Sequence, residues 1–163
     1  MSPLSDDRID LVIRAFELSL DAERIIRRDN PGVQRPRGIS TCWRGFGEIV
    51  FGVITDALLE SKYDPSLPWS DAARTAPRNE LRFEHVISKD ALRRRMLEDW
   101  RNRGHVRRVL MEGSVFAIIA KDEHGPITAA RRRFLSDGGD LWAYPWAPYR
   151  LAGINVSPLK EQA

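Results

Sequence analysis

Apolar positions recur at helical spacing from the start of the chain. Ile9, Val12, Ile13, Phe16 and Leu20 fall on one face between Asp6 and Asp29, which predicts an amphipathic helix over that span. Asp6, Asp7 and Asp10 near its start and Arg24, Arg27 and Arg28 near its end suit the helix macrodipole. Asn30-Pro31-Gly32 then stops it. After a loop through Arg35-Pro36-Arg37-Gly38, a second helix is expected over roughly Thr41 to Lys62, with Phe46, Ile49, Val50, Val53, Ala57 and Leu58 inward. Gly45, Gly47 and Gly52 each cost such a helix about 1 kcal/mol against alanine, unless they admit close packing against the first helix. Ile49 to Ile54 reads alternatively as a short buried strand.

Residues 63–80, with Pro65, Pro68 and Pro77 among Asp, Ser and Ala, read as an irregular connection. Partial alternation over Leu81 to Ile87 predicts a strand. Ser88 can cap a helix from Lys89, with Leu92, Met96 and either Trp100 or Leu97 inward and Arg93, Arg94 and Arg95 partly outward. That helix is expected to fray at Asn102-Arg103-Gly104, with His105 a solvent-facing turn residue. A second strand covers Val115 to Ala120. After Lys121 to Pro126 comes a short helix through Arg131, Arg132 and Arg133, then a tail rich in aromatics and proline.

A chain of 163 residues holds one domain with a real core and is short for two. The expected organisation is a single domain over 1–163: a helical segment over 1–62, the connection 63–80 and a second segment over 81–163. The expected fold class is α+β, an N-terminal helical hairpin packed on a small sheet that contains both strands. The single Cys42 excludes an intramolecular disulfide and a cysteine-cluster zinc site, and suits a reducing compartment, so the cytoplasm is the expected location. The acidic start MSPLSDDRID lacks an apolar stretch and no run approaches about 18 apolar residues, so neither secretion nor a membrane partner is expected. The formal net charge of +3 is unevenly spread. Residues 1–80 hold 11 Lys and Arg against 13 Asp and Glu, and residues 81–163 hold 15 against 10. Arginine supplies 22 of the 26 basic residues. Arginine suits bidentate phosphate and carboxylate pairing, and a GC-rich genome explains the same bias.

Two of the three histidines follow a glutamate: Glu84-His85 at the end of one predicted strand and Glu123-His124 just after the other. Paired strands bring both to one sheet edge. The order strand, acidic residue-His-Val, strand, acidic residue-His, short helix resembles the HNH, or His-Me finger, nuclease motif, a ββα unit that holds one divalent metal. The resemblance implies a ββα-like C-terminal half, with His85 as general base and with Glu84 and His124 as ligands of Mg²⁺ or Mn²⁺. The stretch from Phe83 to His124, with Pro145 to Arg150 and Ala152-Gly153-Ile154, is also similar to uncharacterised proteins of bacterial mobile elements.

The implied chemistry is coherent. A neutral imidazole takes a proton from water near pH 7, and a cation absorbs charge developing on the phosphate. Arg93, Arg94, Arg95, Arg131, Arg132 and Arg133 are candidate contacts to the nucleic-acid backbone. Trp142, Tyr144, Trp146 and Tyr149 either stack bases or fold back on the core. Two conditions bear on the motif. Successive strand residues face opposite sides, so Glu84 and His85 share a site only where the strand bends. Pro126 prefers a first helical turn, which puts His124 just before the helix. A structural reading of both Glu-His pairs as hydrogen-bonded partners stays open. Two functions follow: a metal-dependent HNH-like nuclease, or a noncatalytic mobile-element or phage-defence protein that binds nucleic acid or inhibits a partner protein.

Overall fold

The computed structural model describes residues 5–34, 36–58 and 63–159. The architecture is α+β, with helices first and a four-stranded mixed sheet after them. The chain forms two units, Met1–Glu60 with Arg93–Met111, and Ser61–Leu92 with Glu112–Ala163. Among the described residues no helix is long and apolar enough to cross a membrane.

The first unit is helical. Helix α1 spans Asp6–Asp29, the expected bounds, because both ends are capped. The Ser5 hydroxyl accepts from the Arg8 N–H, and the Asn30 side chain donates to the Ile26 carbonyl at 2.8 Å. Ile9, Val12 and Phe16 are buried as expected, while Ile13 and Leu20 are half-buried. Helix α2 spans Arg37–Leu58, starting at once after Pro36 rather than at Thr41. The end of the expected helix at 59–62 lies outside the described residues, as do the side chains of Val53, Ala57 and Leu58. The stretch expected alternatively as a strand is helical. Close packing of α2 on α1 occurs at Gly38, where a Cβ would stand 3.0 Å from Ile26 Cδ1; Gly45 and Gly52 face open space. Phe16 is the hub of this unit, its ring 5.6 Å from Trp43, 5.0 Å from Phe46 and 5.8 Å from Trp100, centroid to centroid.

Helix α3 spans Lys89–Leu97 and is capped as expected, with Ser88 Oγ accepting from the Ala91 N–H. It ends before the expected fray, and a helix absent from the expectation follows, α4 over Arg103–Gly113. Asn102 caps it by accepting from the His105 N–H at 3.1 Å. His105 is therefore no turn residue. It is 8% exposed, packed in the first turn of α4. Its Nε2 contacts the Arg95 carbonyl at 2.9 Å and its Nδ1 contacts an Arg108 amine at 3.2 Å. A carbonyl only accepts and a guanidinium only donates, so the ring carries its proton on Nε2 and ties the end of α3 to α4. Arg103 and Arg107 of α4 pair with Asp10 and Asp6 of α1.

The second unit holds the sheet. Its strands are β1 (Pro68–Ser70), β2 (Leu81–His85), β3 (Phe116–Ala120) and β4 (Val156–Pro158), in the spatial order β2-β3-β1-β4. β2 and β3 are antiparallel, with Glu84 opposite Ala117 and His85 opposite Phe116. β1 runs parallel to β3 and antiparallel to β4. β1 lies inside the connection expected to be irregular. β3 is central, buried on both faces, and accordingly an unbroken apolar run. Helix α5 spans His124–Ser136 and α6 spans Ala147–Leu151. Ile127 of α5 and Tyr149 of α6 cover one sheet face with Val86, Ala117 and Ile119; Trp69, Ala73 and Ile118 pack on the other. Gly153, at φ 71°, ends α6 in a left-handed cap in which the Ile154 N–H bonds back to the Tyr149 carbonyl. The Ala152-Gly153-Ile154 signature is that cap.

The helical unit is open to two tests. Phe16→Ala removes the ring shared by three aromatic neighbours and is expected to cost about 3–5 kcal/mol in urea unfolding; Leu135→Ala, at an exposed site, changes little. Glu23 accepts from Arg27 and from the Trp43 indole at 2.8 Å. Burial works to raise its pKa, and these bonds outweigh burial, holding the carboxyl below its ordinary value. Its charged form is therefore favoured in the fold. The stabilisation is present above the unfolded pKa of about 4.3 and disappears as pH falls through the lower folded value. Glu23→Gln should thus be less stable than wild type at pH 7 and equal to it in acid, as read by denaturant midpoints across pH.

Candidate functional site

Strand alternation turns Glu84 toward α5 and α6, where it is 6% exposed. Such a carboxylate stays charged only with cationic or strong hydrogen-bonding partners. Oε2 lies 3.1 Å from His124 Nδ1 and 3.3 Å from Arg82 Nε, and Oε1 accepts from an Arg131 amine at 3.3 Å. The same Arg131 amine donates to the His85 carbonyl at 3.2 Å. Arg82 stands two residues before Glu84 on the same strand face. His124 and Arg131 stand two helical turns apart on one face of α5. His124 is the first residue of α5, not a residue before it, and Pro126 still falls in the first turn. One third of the His124 side chain is exposed, so the imidazole forms the rim of the cluster.

Around this centre lie buried polar groups, of which Thr128 was not anticipated and Arg131 and Tyr149 were expected in other roles. Among the described residues the Tyr149 hydroxyl, Arg131 Nε and Thr128 Oγ1 are buried without a hydrogen-bond partner. Burial pushes the Tyr149 phenol well above its ordinary pKa, and the Glu84 and Glu123 carboxylates push it further against Arg131. It remains a neutral O–H at physiological pH. Glu123 faces away from its neighbour His124, accepting from the Ser70 hydroxyl at 2.5 Å and from the Ala120 N–H at 2.8 Å. The two Glu-His pairs of the sequence thus recombine: Glu84 meets His124, while Glu123 closes the turn after β3. The one signal that foretold Arg131 is its spacing of seven from His124.

His85 lies on the other side of the strand. Its ring packs edge-on against Phe83 at 5.9 Å and Phe116 at 5.4 Å, and β2 keeps its register with β3 through His85. A divalent cation at Glu84 would meet a carboxylate already bound by Arg82, Arg131 and His124, with a guanidinium 3.3 Å from Oε1. Among the described residues no three His, Cys, Asp or Glu side chains are grouped to hold a metal ion. As paired here, the Glu84 oxygens are offered to nitrogen partners rather than to a cation.

The candidate phosphate contacts divide. Arg131 turns inward to Glu84, whereas Arg132 and Arg133 are exposed on α5. Arg93 lies over the Trp43 ring at 4.8 Å, Arg94 and Arg95 are exposed, and Arg95 pairs with Glu98. Of the aromatic tail, Tyr149 is core, Trp146 packs on it at 5.3 Å, and Tyr144 is exposed. Cys42 is half-buried; burial raises its pKa, so the thiol is protonated and donates to the Ser19 carbonyl. Comparison with protein-family models, curated proteins and solved structures finds no match.

The ion cluster makes a stability prediction. Arg131→Met leaves Glu84 with Arg82 and His124 alone and is expected to cost up to about 3 kcal/mol, whereas Glu84→Leu with Arg131→Met should recover most of that loss. Urea unfolding of the two single variants and the double variant measures it as a cycle.

Proposed function

We propose that this protein binds nucleic acid without cutting it, through the arginine-rich segment from α3 to α4. The observation that supports this reading is the density and placement of charge in Arg93–Met111, which carries seven arginines against Glu98 and Asp99. Arg94, Arg95, Arg101, Arg103 and Arg108 are exposed along it. His105 fixes the segment's shape by bridging Arg95 and Arg108, so these guanidiniums start from a set geometry rather than a flexible tail. Arginines so held reach phosphate oxygens at lower ordering cost. Such contacts position a backbone and carry little sequence information.

Fluorescence anisotropy with labelled DNA and RNA tests the reading. Binding should weaken steeply with salt through counterion release. Arg94, Arg95 and Arg108 replaced together by alanine should flatten the log-log salt slope by about 2–3, at roughly 0.9 per phosphate lost. Absence of binding at about 50 mM salt overturns the proposal and favours a protein partner.

The HNH-like nuclease remains a second reading because two of its three expected residues, Glu84 and His124, are in contact and stand on an antiparallel strand pair and the helix after it. Chelator-sensitive cleavage of either nucleic acid, lost in His85→Ala at unchanged thermal stability, would replace the binding reading with this one. No cleavage is expected.

A further inference from the structure

The outward face of α1 carries a regular apolar row. Leu11, Leu18 and Ile25 recur every seven residues and are 50%, 70% and 50% exposed. Two helical turns separate each from the next, so the three lie in one line along the helix. An isolated exposed leucine needs no explanation, but a line of three large aliphatic side chains on a helix whose inner face is already packed is a surface awaiting cover.

Charge on one flank of this row says what covers it. Asp7, Arg14, Asp21 and Arg28 also recur every seven residues and alternate in sign along the same side. When two copies of a helix pack antiparallel about a two-fold axis, each flank meets the same flank of its partner, read in reverse. Negative, positive, negative, positive reversed is positive, negative, positive, negative. Every position therefore meets its opposite. In a parallel pair this flank would meet the other one, Arg8, Ala15, Ala22 and Asp29, where the end charges match but Arg14 and Asp21 face alanines; the antiparallel pair matches all four. The present partners are no obstacle, since among the described residues Asp21 pairs with the exposed Arg24 and Arg28 with the exposed Asp29, both screened surface pairs.

We propose that α1 is an antiparallel homodimer interface, with Leu18 on the two-fold axis against its own copy, Leu11 against Ile25 of the second copy, and Arg14 beside Asp21 of the second copy. The inference is independent of nucleic-acid binding. A two-fold arrangement repeats each charge contact on both sides of the axis, so one substitution acts twice.

Sedimentation velocity on the full chain tests it. Wild type is expected to be a concentration-dependent dimer at about 100 µM. Leu18→Arg puts like charges on the axis and should give a monomer with unchanged circular dichroism and with the thermal midpoint that wild type shows when diluted to monomer, because the site is exposed. Arg14→Asp alone should weaken dimerisation at least about tenfold, by setting a second carboxylate beside Asp21 of the other copy. Arg14→Asp with Asp21→Arg should restore it. Leu135→Arg, at another exposed aliphatic, should leave the dimer intact. A monomeric wild type, a Leu18→Arg variant that still dimerises, or a double charge swap no better than the single one each overturns the proposal.

Discussion

A carboxylate under a sheet is the constraint on which the second unit is built. Glu84 points into the side of the sheet covered by Ile127 and Tyr149, where water cannot neutralise it. It persists because three nitrogen-bearing side chains reach it from two directions, Arg82 along its own strand and His124 with Arg131 from α5. That requirement fixes where α5 must start. The chain has only the short turn 121–123 to travel from the end of β3, and Glu123 commits its side chain to holding that turn through Ala120 and Ser70. The polar interior of this unit thus has two centres at the start of α5, Glu84 with its three partners and Glu123 with Ser70 and Ala120.

How arginine is used separates composition from chemistry. An arginine-rich chain invites a count of phosphate contacts, yet Arg131 is a counter-ion for a buried carboxylate, Arg93 and Arg101 lie over Trp43 and Trp100, and Arg103 and Arg107 hold α1 through acids in its first turns. What remains outward on α3 and α4 is held in place by these commitments. A lysine at the same positions would keep the charge and lose the planar stacking and forked bonding.

The sequence disclosed elements whose signals are local. α1 was legible at both ends because its caps and its charge gradient lie within the helix and beside it. The capping role of Ser88 and the apolar run of β3 were legible for the same reason. β1 and β4 were not, being three residues each and bounded by Pro68 and Pro158; nothing in so short a run alternates, and their strand geometry comes from pairing with each other and with β3. α4 was hidden by Gly104, although Val106, Val109 and Leu110 follow helical spacing. In the site, the meeting of Glu84 with His124 was legible from strand pairing. The separation of His85 from both followed from strand period, which the resemblance to a nuclease asked β2 to break. Arg131 and Tyr149 are long-range partners; beyond the spacing of Arg131 from His124, their roles are visible only once α5 and α6 are laid on the sheet.

The pairing of β2 with β3 has a kinetic consequence. The two strands form an antiparallel pair, but residues 86–115 separate them, and most of α3 and α4 within that stretch belongs to the other unit. A tight two-residue hairpin zips from its turn in microseconds. Here no turn exists to start from, and closing the pair carries the entropy of a long loop, growing with the logarithm of its length. The sheet is therefore a late event: α3 and α4 form quickly and shorten the loop, and its closure sets the rate.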